Sequence, residues 1–364
     1  MRIAIANAGI CQSRGGAERA ALRLAHEMRA RGHTVHILTV AGTYSPLYSV
    51  DPRLPIHFFP SSFFSGDAAA VNAGSGLLQE NKIEVLLSFE SDWKHMLWKI
   101  CSTDTGTPFI CSERITLELI ERELWHREGR LALLEQSAAI HELLPCYVPL
   151  VPKHLRHKTF VIPNASPENI PPECPEHPST SPTLLYLGRF SKEKRPELLL
   201  RAFALLAQEF PDWRLRMIGW GDTQSSLQAL SQELNLDSCT IIGPVATSTW
   251  AEYLSANIYC LPTKYEGCPN TVLEAMAAGL PIVGVSDCPA MTSIVRNGIN
   301  GLLANFPTPE ALANILRPLL ASEKARQRMG REAWHECNTR YSSALFDQWE
   351  SILKKVVAKN ITDV

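Results

Sequence analysis

Three hundred and sixty-four residues exceed one typical domain and point to two. At 45% hydrophobic and 20% charged, the composition is that of a globular protein with a sizeable core, which excludes disordered and fibrous classes. The 35 basic and 37 acidic residues leave a formal charge of −2, so no global field favours nucleic acid, and no apolar run is long enough to span a membrane.

Short apolar runs alternate with helical patterns, the mark of parallel α/β architecture. RIAIANAG reads as a strand and its turn; a signal peptide needs a longer apolar region. GAERAALRLAHEMRARG predicts an amphipathic helix ending at Gly32, and HTVHILTV the next strand. IEVLLSF and TPFICSE are two further strands, and residues 112–147 turn helical and highly charged. Residues 161–182 then hold seven prolines. Proline fixes φ and removes a donor, so this stretch is a linker rather than a helix or central strand. After Pro182 a second series begins with TLLYLGRF and the helix RPELLLRAFALLAQEF, whose Pro196 suits the first turn. Strands follow in WRLRMIGWG, CTIIGPV, ANIYCLPT and LPIVGVS. The restart predicts two doubly wound domains, residues 1–163 and 164–340, with a terminal segment 341–364. There Phe346, Trp349, Ile352 and Val356 make an apolar stripe at helical spacing, which fits a helix covering the second domain and equally one that crosses back to pack on the first, the reading that the chain's length past the last strand favours.

Ten scattered cysteines without a CxxC pair argue against a zinc site or a disulfide framework and for a reduced, cytoplasmic compartment. Cys268 is read as a small apolar filler in preference to a reactive thiol. Lys153, Arg156 and Lys158 form a short basic patch. It suits peripheral contact with an anionic membrane surface, and equally an ordinary solvated loop, which is the plainer reading.

Open α/β sheets bind ligands beyond the carboxyl ends of their strands. The most informative stretch there is PTKYEGCPNTVLEAMAAGLPIVGV. Asn270 is the expected N-cap of a helix that stops at Gly279, with Glu266 in the loop ahead and Glu274 about one turn in. The N–H groups at such a helix start suit a diphosphate. Two carboxylates would repel that diphosphate if they touched it, so they are read as accepting hydrogen bonds from hydroxyls on either side. A sugar nucleotide has this layout: ribose, diphosphate, sugar. In LGRFSKEKRP, Arg189 and Lys194 supply cations for phosphates, although a solvated loop has the same composition. In GGAER, Gly15 and Gly16 open the first long helix and let N–H groups approach an anion. There is no GxGxxG and no acid closing the second strand, which disfavours a nicotinamide-dependent dehydrogenase.

Taken together, GGAERAALRLAHEMRARGHTV, VIPNA, LGRFSKEKRPELLLRAF, YEGCPNTVLEAMAAGLPIVGVSDC and NGINGLL resemble the retaining GT-B glycosyltransferases of family four. The resemblance covers nearly the whole chain. SER and SDC are similar to the subgroup that builds bacterial polysaccharides, lipopolysaccharide and lipid-linked oligosaccharides. It implies an α/β GT-B fold of two doubly wound Rossmann-like domains facing each other across a cleft. It implies transfer of a sugar from a nucleotide-sugar, a UDP-sugar in the first instance, to a glycan or lipid-linked acceptor, with no cofactor. No Asp-x-Asp motif stands in a suitable loop, so no essential metal is expected. Arg189 and Lys194 would bind the diphosphate, Glu274 the ribose, and Glu266 the sugar, helped by the backbone of Gly267, Cys268, Pro269, Asn270 and Thr271. Gly16 would face the phosphates from the other domain, and Gly219, Gly221 and Gly243 would lie near the base, though each also suits a strand-exit turn. The family's first-domain histidine is missing: the loop reads CSERITLE, with Glu113 and Arg114 as candidates, and His95 and His126 stand elsewhere. That departure keeps open a non-catalytic donor-binding subunit; a nucleotide-sugar epimerase of the same architecture ranks lower.

Overall fold

The computed structural model describes residues 1–10, 15–40, 50–90, 94–114, 127–168, 170–177, 181–244 and 248–362. Cys11, Ile115 of the CSERI loop, His126 and Pro178 of the linker lie outside them. The chain divides into two compact units, Met1–Asn164 with Ser343–Val364, and Ala165–Ser342.

The first unit is built on strands β1 (Arg2–Ala6), β2 (Thr34–Val40), β3 (Ile56–Phe59), β4 (Val85–Ser88), β5 (Phe109–Ser112), β6 (Ala139–Glu142) and β7 (Thr159–Val161). They form one parallel sheet in the order β3-β2-β1-β4-β5-β6-β7. Four of the five residues of β1 are buried, as expected for a parallel strand covered on both faces. On one face Trp98 packs on Phe63, ring centroids 4.5 Å apart, within a core that includes Leu38, Leu86, Phe109 and Ile140. The helix Gly16–Ala30 ends as read, with Gly32 at φ 87°, a left-handed turn that glycine adopts without a β-carbon clash.

One expectation fails here. Residues 112–147 are not continuously helical: the helix Arg127–Gln136 is followed by strand β6 and a 3₁₀ turn, Pro145–Leu150. The strand escapes periodicity because its sequence, AIHE, puts His141 and Glu142 in fully buried positions.

The terminal helix Leu345–Thr362 belongs to this first unit. Trp349 lies 4.5 Å from the His141 ring, 5.4 Å from Phe160 and 5.8 Å from Phe89, centroid to centroid. The Arg31 guanidinium holds Asp347 at 2.6 Å. Its buried line is Leu345, Phe346, Trp349 and Leu353; Ile352 and Val356 stand half-buried beside it.

The second unit carries β8 (Thr183–Leu187), β9 (Arg214–Ile218), β10 (Thr240–Gly243), β11 (Ile258–Leu261), β12 (Ile282–Val285) and β13 (Gly301–Ala304). All are parallel, in the order β10-β9-β8-β11-β12-β13. Both sheets therefore share the doubly wound order, and in each the winding reverses between the first and fourth strands. Pro196 occupies the first position of the helix Pro196–Ala204, which is shorter than the helical pattern after it implies. No described helix is long and apolar enough to cross a membrane.

Candidate active site

In the second unit the winding reverses between β8 and β11, and the chain leaving both strands carries the charged side chains. The buried hydroxyl of Tyr186 donates to the Arg189 carbonyl at 2.6 Å, and that of Tyr259 donates to the Leu187 carbonyl at 3.0 Å. The strand core thus pins the β8 exit. The Glu193 carbonyl then accepts from the Lys264 amide at 2.8 Å and from the Thr263 hydroxyl at 3.2 Å, which ties the two exit loops together. As a result the Lys194 ammonium hydrogen-bonds the Glu266 carboxylate, two side chains only 15% and 13% exposed. The Arg189 side chain is 61% exposed, with its guanidinium 3.7 Å from Glu193.

The helix after β11 runs Asn270–Ala277. Its N-cap is Pro269, in an extended conformation, so Asn270 is the first helical residue and not the cap read from sequence. A proline cannot cap through its side chain, and none does so here. The helix stops at Gly279, φ 76°, with the Leu280 amide bonded to Ala275 at 3.0 Å. Glu274 lies one turn in, buried, and accepts from the Tyr253 hydroxyl at 2.8 Å. Cys268 is buried, and none of the nine described cysteines is in a disulfide.

Gly219 and Gly221 have a packing reason to be glycine. A β-carbon on either would collide with the backbone carbonyl of Gly188 or Phe190, because the β9 exit lies directly against the β8 exit. Gly243 has no such constraint: a β-carbon there meets nothing within 4 Å.

In the first unit, Gly15 caps the helix Gly16–Ala30 without a side-chain bond. A β-carbon at Gly9 or Gly15 would strike the Glu18 carboxylate, so that carboxylate lies in the hollow at the helix start. The sequence reading passed over Glu18, although its place in the first helical turn favours an acid there. It also passed over Glu90, which accepts from the Ala8 amide at 2.8 Å and the Trp98 indole at 2.9 Å.

Glu113 and Arg114 are both committed to partners. Arg130 holds the Glu113 carboxylate through two bonds of 2.7 and 2.6 Å. Burial pushes that carboxyl up, but the Arg130 hydrogen bonds and charge outweigh it and leave it below its ordinary range. Adjacent Glu142 goes the other way, raised well above its usual value by burial and by the Glu113 charge. Arg114 donates to Asn164 at 2.6 Å and lies 4.8 Å over the Phe89 ring. His141 donates from Nε2 to the Ile162 carbonyl at 2.8 Å, so Nδ1 accepts from the Ser112 hydroxyl at 2.7 Å. Burial, and then the Arg114 charge, lower its pKa to about 3. His95, at the start of the helix after β4, is buried with Nδ1 2.8 Å from the Ser88 hydroxyl. In the basic patch, Lys158 bonds the carbonyls of Glu135 and Ser137, both at 2.7 Å, and Arg156 those of Val151 and Pro149, at 3.0 and 2.7 Å.

Two doubly wound parallel sheets, with a cation–carboxylate cluster at the reversal point of the second, define an α/β protein of the architecture in which ligands bind at such reversals. Residues 14–142 match the family model for Glycosyltransferase Family 4, and residues 172–335 that for glycosyl transferases group 1. The chain belongs to the family-four glycosyltransferases, and its fold is GT-B. An uncharacterised glycosyltransferase of Haemophilus influenzae is 24% identical over 94% of this chain and 97% of its own. Among solved structures, sucrose-phosphate synthase of Thermosynechococcus elongatus superposes with a TM-score of 0.82 at 17% identity, over 99% of this chain and all of that one. Anabaena HepE, solved with UDP-glucose, gives 0.76 at 16% identity, with both chains covered in full.

Proposed function

We propose that this glycosyltransferase moves a sugar from a UDP-sugar to an acceptor hydroxyl with retention at the anomeric carbon, in glycan or polysaccharide synthesis. The observation that carries the reading is the Lys194–Glu266 pair at the β8/β11 reversal, with exposed Arg189 beside it. A diphosphate arriving there meets two cations and the helix N-terminus. Lys194 can then turn from Glu266 to the phosphates, leaving the carboxylate for sugar hydroxyls. The bond between the anomeric carbon and the diphosphate breaks and one to the acceptor oxygen forms. The acceptor proton passes to the departing diphosphate, and the two cations stabilise the charge that grows there. That stabilisation removes the need for paired carboxylates at glycosidase spacing. The UDP-glucose bound by HepE supports the choice of donor. Buried Glu274 takes the ribose hydroxyls, Gly267–Thr271 offer backbone to the sugar, and the open side of Gly243 faces the base. The acceptor belongs to the first unit, where Arg114 stands at the sheet's carboxyl edge.

The test is a panel of nucleotide sugars and acceptors, read by thermal shift and then by product. A donor at a hundred times its dissociation constant stabilises by about 2.7 kcal/mol. The expected product is a glycoside of retained configuration plus UDP. An epimerised nucleotide sugar, or binding without release, would replace this reading with an epimerase or a donor-binding subunit.

A further inference from the structure

Three described residues other than glycine have positive φ: Lys82, Arg195 and Asn235. Lys82 and Asn235 each stand just past the C-terminus of a helix, Ala68–Glu80 and Gln224–Glu233, where a left-handed residue is ordinary. Arg195 stands ahead of one. It has φ 49° and ψ 46°, between the 3₁₀ turn Lys192–Lys194 and Pro196. Two rules oppose that conformation: its β-carbon disfavours the left-handed region, and a following proline drives a residue to extended backbone. Something must hold it. Its guanidinium grips Asp287, just past β12, through two bonds of 3.0 and 2.7 Å. Lys194, one residue earlier, is thereby delivered to Glu266. An extended Arg195 would swing Lys194 off the site.

We infer that the Arg195–Asp287 fork is a positioning device: it holds Arg195 left-handed so that Lys194 faces the donor phosphates. This rests on the donor reading of Lys194 above. Arg195 need not touch the donor; its work is conformational. Glycine adopts the left-handed region freely, so it can replace the fork where alanine cannot.

The experiment is calorimetric titration of uridine diphosphate into the full-length protein and its variants, with a melting curve for each. Arg195→Ala and Asp287→Ala should each weaken binding about tenfold, the scale of the left-handed penalty. Arg195→Gly should stay within about threefold of the parent, and Asp287→Ala should add nothing further in that background, as a coupled pair requires. Arg195→Gly binding as weakly as Arg195→Ala would show that the guanidinium itself acts on the ligand and would overturn the inference. So would Asp287→Ala binding like the parent. A parent protein that binds no uridine diphosphate removes the donor reading itself, and is seen before any variant is made.

Discussion

The two sheets wind in the same order, yet their carboxyl edges spend charge in opposite ways. At the edge of the first, Glu113, Arg130, Glu142, Glu90 and His141 are buried, and their bonds run to one another or to nearby groups of the same unit. At the edge of the second, Arg189 is largely exposed and the Lys194–Glu266 pair is partly so. A buried ion pair with complete partners fixes structure. A half-sheltered pair with a largely exposed cation beside it can exchange one partner for a ligand. The same topology thus yields a tightly paired charge cluster at one edge and an exposed cation beside a half-sheltered pair at the other.

The sharpest way to break this contrast is to cut the first edge. Arg130→Met leaves Glu113 buried without its counter-ion and should lower stability by about 3–5 kcal/mol, measured by urea unfolding. A loss below 1 kcal/mol would mean that the cluster is not a frame. On the second edge the cost should fall on function. Glu266→Ala should lower turnover about a hundredfold, the scale of one transition-state contact, with nucleotide affinity nearly kept. Glu274→Ala should instead weaken uridine diphosphate binding about tenfold, since ribose contacts change little during reaction. Normal nucleotide affinity in Glu274→Ala would sink the ribose assignment.

Acid separates the edges further. His141 stays neutral in the fold down to about pH 3 but takes a proton at about 6.5 when unfolded. The unfolded state binds more protons in that window, so His141 makes stability fall as pH drops, by about 1.4 kcal/mol per unit. His141→Gln should flatten that slope relative to the parent, read from denaturation midpoints across the window. Parallel slopes would show that the ring titrates normally. The smallest effect is expected from chelation. With Arg189 and Lys194 neutralising the diphosphate, EDTA should leave activity unchanged, and loss restored by magnesium or manganese would contradict this.

Much of this was legible in the chain. Unbroken apolar runs such as TLLYL and IVGV announced the central strands, and turn residues marked where their exit loops begin. Arg189, Lys194, Glu266 and Glu274 stood out because charge at a strand exit is chemically conspicuous. What stayed hidden was charge facing inward. AIHE did not read as a strand because a parallel core strand is expected to be apolar, and its histidine and glutamate are satisfied by partners distant in sequence. Pro269 displaced Asn270 from the cap, a difference of one residue that composition cannot resolve. The left-handed turn at Arg195 was invisible for a stronger reason: arginine before proline signals extended backbone, and only the distant Asp287 reverses that preference.

The central claim is that the β8/β11 edge holds the donor diphosphate. Titrating uridine diphosphate into the intact protein and into the Arg189→Ala, Lys194→Ala double variant tests it most directly. Two charge-assisted phosphate contacts should be lost, weakening affinity by about a hundredfold or more with the melting temperature nearly unchanged. Equal affinity in the two proteins would place the nucleotide elsewhere.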